Sequence, residues 1–129
     1  MSVGFVIVTH GQTGKSLIAE AEFVLGQSMK EIVPVSFNQS EGLLNSVSDI
    51  RLAIEKADSG DGVLVMTDLI GASPSNRVAR LLEEYDAVMV TGVNLPMTIC
   101  VWNYREQPLG LVVRKAVDGG RRGIKIFQE

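Results

Sequence analysis

Scarcity is informative in this chain, which holds one histidine, one cysteine and one tryptophan in 129 residues. The single cysteine, Cys100, excludes an internal disulfide and suits a reducing compartment. No apolar run approaches the ~18 residues that a membrane span needs, and no charged n-region with an apolar h-region opens the chain. The expectation is a cytoplasmic protein with no direct membrane insertion. Charge of one sign is also lacking: 12 Lys and Arg stand against 15 Asp and Glu, so no global field recruits nucleic acid or an anionic membrane. Six of the basic residues, Arg105, Arg114, Lys115, Arg121, Arg122 and Lys125, crowd the last quarter and read as a solvated face. Linkers, repeats and low-complexity tracts are missing too, so residues 1–129 are expected to form a single domain with one core.

What is present begins with Phe5-Val6-Ile7-Val8-Thr9-His10-Gly11, an apolar run that stops at the lone histidine. The run is too short for a helix and has the β-branched content of a buried strand. Gly11 to Ser16 is a tight turn into a helix with Leu17, Ile18, Ala21, Val24 and Leu25 on one face and a stop at Gly26. Ile32 to Phe37 reads as a second strand, placed at an edge or bulged because Pro34 cannot donate to a ladder. A helix follows with Leu43, Val47, Ile50, Ile54 and Ala57 as its stripe. Val63 to Asp68 is a third, continuously apolar strand of the kind covered on both faces.

The loop Leu69 to Asn76 contains Gly71 and a Ser73-Pro74 pair that fits an N-cap followed by proline at the first helical position. Val78, Leu81, Leu82 and Tyr85 mark the next helical stripe, and Ala87 to Val93 a fourth strand. Asn94-Leu95-Pro96 breaks it, and either walls a crevice or simply turns strand into helix. A short apolar helix around Met97 to Trp102 contains Cys100, expected to be buried and inert; Met66, Met89, Met97, Trp102 and Tyr104 read as packing residues. Pro108 restarts a helix with Leu109, Val112, Val113, Ala116 and Val117 inward, Gly119-Gly120 is expected to stop it, and Gly123 to Phe127 reads as a last strand.

This order predicts an α/β fold: a doubly wound, mostly parallel open sheet of strand order 2-1-3-4, with helices on both faces and a short antiparallel C-terminal strand. Winding then reverses between strands 1 and 3, and the crevice at that switch point receives His10 and Asp68. A neutral imidazole is a nucleophile at physiological pH and needs one bare nitrogen. Asp68, accepting a hydrogen bond from the other nitrogen, would set tautomer and ring direction. Backbone donors after Gly11 and around Gly71, with the Ser73 hydroxyl, would hold phosphate oxygens near helix N-termini. Together these residues point to phosphoryl transfer through a phosphohistidine. A rival is nucleotide binding, because Gly14-Lys15-Ser16 opening a helix imitates a P-loop. The P-loop pattern, however, requires glycine where Thr9 stands.

The residues resemble those of the mannose-type enzyme IIA (EIIA) components of the bacterial phosphoenolpyruvate-dependent sugar phosphotransferase system. The matching stretches are Val8-Thr9-His10-Gly11, Asp68 with Gly71-Ala72-Ser73-Pro74-Ser75-Asn76, and Thr91-Gly92-Val93-Asn94-Leu95-Pro96-Met97. The resemblance implies a phosphotransferase in which His10 accepts a phosphoryl group from the phosphocarrier protein HPr and passes it to an EIIB component for sugar uptake. It implies Asp68 as the histidine-orienting carboxylate, Ser73 as the active-site serine, no metal and no cofactor. It also implies a homodimer whose last strand, about Gly123 to Phe127, is exchanged between subunits. Sugar-transporting members commonly carry a tryptophan and two glycines where Leu69-Ile70-Gly71-Ala72 stand here, a departure that bears on the sugar and the EIIB partner; read as a stand-alone module without an EIIB domain, the chain has a regulatory EIIA sensed by other proteins as its second expectation.

Overall fold

The computed structural model describes residues 2–37, 43–68 and 78–128. Four parallel strands, β1 (Gly4–His10), β2 (Val33–Phe37), β3 (Val63–Thr67) and β4 (Ala87–Thr91), form a sheet in the order β2-β1-β3-β4. The helices are α1 (Thr13–Leu25), α2 (Leu43–Ala57), α3 (Leu95–Asn103) and α4 (Leu109–Arg122), and residues 78–82 are also helical. The expected strand order is therefore observed. Pro34 sits on β2 at the sheet's edge, where its missing N–H costs the interior ladder nothing.

Alternation along β1 sends side chains into two apolar layers. Phe5 and Ile7 join Leu64 and Met66 of β3 beneath α1, α3 and α4, packed with Ile18, Ala21, Val101 and Val112. Val6 and Val8 join Val63 and Val65 on the opposite face, against Ile50 and Ile54 of α2 and against Val78 and Leu81. Burial on both sides explains why β1 and β3 read as unbroken apolar runs. It also locks their register, since a one-residue slip would exchange the two faces.

Several expectations need correction. On α1 the inward residues are Gly14, Ile18 and Ala21, with Leu25 at the margin, while Val24 points to solvent at 58% exposure. A stripe of five apolar residues is wider than the face the sheet covers. Gly119-Gly120 does not end the last helix. Both glycines are buried inside α4, where a Cβ on Gly119 would stand 2.7 Å from Cys100 Cβ and Sγ, and one on Gly120 would meet Met97 Cε at 2.9 Å. These glycines let α3 and α4 approach, and the stop falls at Gly123. Cys100 is half-buried at this crossing, and its thiol donates to the Lys115 carbonyl at 3.4 Å. Strand β4 ends at Thr91 rather than Val93, because Gly92 turns to φ +80° and the Val93 N–H goes to the Thr67 carbonyl.

Within the single chain the expected last strand joins no ladder. Residues 124–128 join no ladder, and Ile124, Ile126 and Phe127 are 78%, 90% and 94% exposed. A strand exists only with a partner edge, and none of the described strands pairs with the segment. Nor is the basic cluster wholly solvated, since Arg105 stacks over Trp102 at 4.2 Å and Lys115 over Tyr104 at 4.6 Å.

Arg51 of α2 donates to Glu84 and to the Tyr85 hydroxyl, tying α2 to the chain just before β4. The hydrogen bond from Arg51 lowers the Glu84 pKa from its ordinary 4.5. Its contribution to stability is therefore present above that value and lost as pH falls through the lowered one, and exposure of both groups keeps it small.

Gly119→Val should weaken the protein by about 1–3 kcal/mol, the usual range for forcing extra carbon into a filled contact. A urea melt reads the effect, and an unchanged midpoint would show that α3 and α4 can part without loss.

Candidate functional site

The site is built at the carboxyl end of β1. His10 is the strand's last residue, and Gly11, at φ +53°, turns the chain in the left-handed conformation that favours glycine. Two hydroxyls hold this turn. Thr9, buried in the apolar run, accepts the Gly14 N–H at 2.7 Å, and Ser36 of β2 donates to the Gly11 carbonyl at 2.8 Å. Because the Gly11 carbonyl points to β2, the Gln12 N–H on the same planar peptide points away from it. The first turn of α1 contains no acidic side chain, so its positive end is not neutralised from within.

Asp68 follows β3 directly. In the β1–β3 register Val8 lies beside Thr67, which brings the next residue of β3's chain alongside the end of β1. The His10 backbone N–H donates to Asp68 Oδ2 at 3.1 Å, and His10 Nδ1 lies 3.3 Å from both carboxylate oxygens. An ionised carboxylate only accepts, so Nδ1 carries a proton in this contact, and in the neutral tautomer Nε2 is then the bare nitrogen. The His10 side chain is 56% exposed and that of Asp68 23%. The carboxylate is thus the more sheltered member, and the imidazole is offered outward.

On the other side of His10 stands Phe37, its direct neighbour in the β1–β2 register. The two rings are stacked with centroids 6.1 Å apart and planes inclined by 28°. Phe37 and Ser36 belong to no sequence motif beyond their strand; the one signal for them is their place at the end of the strand that flanks β1.

Of the residues expected at the site, the structure brings His10, Gly11 and Asp68 together. Gly71 and Ser73 lie outside the described residues, as does the Ser73-Pro74 cap. Asn94 is occupied elsewhere: its Oδ1 accepts the Met97 N–H at 2.9 Å as the N-cap of α3, and its Nδ2 donates to the Gly120 carbonyl at 3.1 Å. Lys15 lines a groove along the free edge of β2 with Pro34, Ser36 and Asp49. With Thr9 using the Gly14 N–H, the turn also has one donor fewer for a nucleotide. Both observations count against the P-loop reading.

Fold and site define an open α/β protein that presents a carboxylate-steered histidine at its topological switch point. Residues 4–112 match the family EIIA-man, described as the PTS system fructose IIA component. The chain is 30% identical, over 99% of its length, to the PTS system mannose-specific EIIAB component of Escherichia coli K12, and spans 40% of that protein. It is 26% identical to the PTS system fructose-specific EIIA component of Bacillus subtilis 168, over 81% of this chain and 71% of the relative. The mannose/sorbose specific IIA subunit from Enterococcus faecalis superposes with a TM-score of 0.86 at 18% identity, covering 100% of this chain and 97% of that one. This chain belongs to the mannose-type EIIA family of the sugar phosphotransferase system.

At a pH where the ring is neutral, nitrogen-resolved NMR should find the proton of His10 on Nδ1. Asp68→Asn, whose amide can donate as well as accept, should release the ring to the tautomer mixture of an unrestrained imidazole. An unchanged spectrum would mean that the carboxylate does not set the tautomer.

Proposed function

We propose that this chain is a phosphocarrier of the sugar phosphotransferase system, accepting a phosphoryl group on His10 from HPr and passing it to an EIIB component. The observation that supports this most directly is the His10–Asp68 contact, which engages Nδ1 and so, in the neutral ring, leaves the lone pair on Nε2 of a side chain that is 56% exposed. In the transfer, the Nε2 lone pair attacks phosphorus. An N–P bond forms as the donor's N–P bond breaks, and the released electron pair returns to the donor's imidazole nitrogen. The Nδ1 proton stays on the ring, hydrogen-bonded to Asp68, so the positive charge that develops on the imidazole faces a carboxylate. Onward transfer is the same exchange in reverse, with the EIIB component supplying the nucleophile.

The phosphoryl oxygens need donors, and this reading assigns that work to the Gln12 N–H after Gly11 and to the opening turn of α1. Gly71 and the Ser73 hydroxyl complete the set by their place in the family motif. No metal or cofactor enters, because the donor is itself a phosphohistidine. An imidazole more than half exposed on a strand tip suits exchange with another protein. The module works in the cytoplasm, as one domain over residues 1–129. The relatives' names carry mannose and fructose, and the substitution at Leu69-Ile70 leaves sugar and EIIB partner to experiment.

A homodimer is part of the proposal. Ile124, Ile126 and Phe127 leave large apolar surface in water, and pairing this segment with a second copy's sheet would bury it.

Incubation with phosphoenolpyruvate, enzyme I and HPr should place an acid-labile, base-stable label on the chain. His10→Ala should abolish it, and Asp68→Asn should slow it on the order of 10- to 100-fold through loss of alignment. A label that survives His10→Ala overturns the assignment. In sedimentation, the wild type should run as a dimer and Ile126→Asp as a monomer; a monomeric wild type removes the exchanged strand from the proposal.

A further inference from the structure

We infer that Phe37 is a positioning residue for His10, holding the plane of the imidazole while Asp68 holds its edge. The inference rests on the phosphocarrier reading above and adds a residue to it. Its starting point is the looseness of the carboxylate contact. Nδ1 lies 3.3 Å from both oxygens, beyond the common range for such bonds and shared between two acceptors. A contact of that kind restrains little more than the distance from Nδ1 to the carboxylate, so concerted rotation about the Cα–Cβ and Cβ–Cγ bonds can still roll the ring. A side chain that is 56% exposed has room for that roll. The roll matters because the Nε2 lone pair lies in the ring plane, and in-line transfer needs that plane to contain the line from nitrogen to phosphorus.

Phe37 supplies the missing restraint. It stands beside His10 in the β1–β2 register, and the two rings are stacked at 6.1 Å with only 28° between their planes, inside the range of attractive aromatic pairs. Its own ring is anchored, packing as a half-buried side chain on the core layer that contains Val8, Val35 and Ile50. The neighbouring residue on β2, Ser36, fixes the Gly11 carbonyl, so the end of β2 braces both the imidazole and the turn that follows it. His10 is thereby held from both flanking strands, by a charge from the β3 side and by an aromatic face from the β2 side. Phe37 touches neither the phosphorus nor its oxygens in this account and acts only through the imidazole.

The test compares Phe37→Leu, which keeps apolar volume over the core but loses the ring, with Phe37→Tyr, which keeps the ring. With HPr as donor, Phe37→Leu should lower kcat for phosphoryl uptake about three- to tenfold, the worth of one aromatic pair, and leave KM for the donor unchanged. Phe37→Tyr should restore the wild-type rate. In the unphosphorylated protein the His10 ring-proton resonances should lose their ring-current shift in Phe37→Leu and keep it in Phe37→Tyr. A role confined to packing would make the two variants follow their unfolding midpoints instead. Wild-type kcat in Phe37→Leu overturns the inference, as does equal slowing by both variants. A change confined to KM also overturns it, and makes Phe37 a docking contact for the donor. Failure of the wild type to take any label is a separate outcome: it removes the phosphocarrier reading and this inference with it.

Discussion

The contact between the His10 ring and the Asp68 carboxylate joins the ends of two neighbouring parallel strands, and the rest of the structure is arranged so that this contact can exist. It requires β1 to lie directly beside β3 in a register that sets Val8 against Thr67. Slippage by a single residue would turn His10 to the opposite face of the sheet and reverse every apolar side chain of β1. The two apolar layers forbid that slip, because each face of β1 already has its own partners. A polar alignment at the rim is therefore maintained by hydrocarbon packing several ångströms beneath it.

The helices divide the remaining work. α1 begins at the rim and brings an uncompensated N-terminus next to the histidine, while Thr9 and Ser36 set the direction in which the turn leaves the strand. α3 and α4 lie on the same face as α1 and pack closely enough to require glycine at 119 and 120. Asn94 fastens this pair where β4 gives way to α3, capping one helix and bonding a carbonyl of the other. The close packing on both faces of the sheet contrasts with the exposure of His10 at its rim.

Unpaired edges are the sheet's other constraint. β2 closes one side with Pro34 in an edge position, and the chain's last apolar residues lie outside any ladder. The four described strands leave Ile126 and Phe127 in solvent.

Much of this was legible in the residues themselves. Continuous apolar runs ending on polar side chains placed β1 and β3 at the centre, and Pro34 placed β2 at an edge, because burial on two faces and a missing N–H are local demands written in composition. The meeting of His10 and Asp68 was legible for the same reason: each punctuates an apolar run at the same end of a parallel sheet. Tertiary structure alone decided which glycines stop a helix and which let two helices meet, since Gly119-Gly120 and Gly123 look alike in a string and differ only in what faces them. It alone left Val24 in solvent, set residues 124–128 outside the ladders of the described strands, and brought Phe37 against His10. Periodicity reports that a side chain has a buried or exposed face; the identity of the neighbour depends on strand register and helix crossing, which arise only when distant segments are packed together.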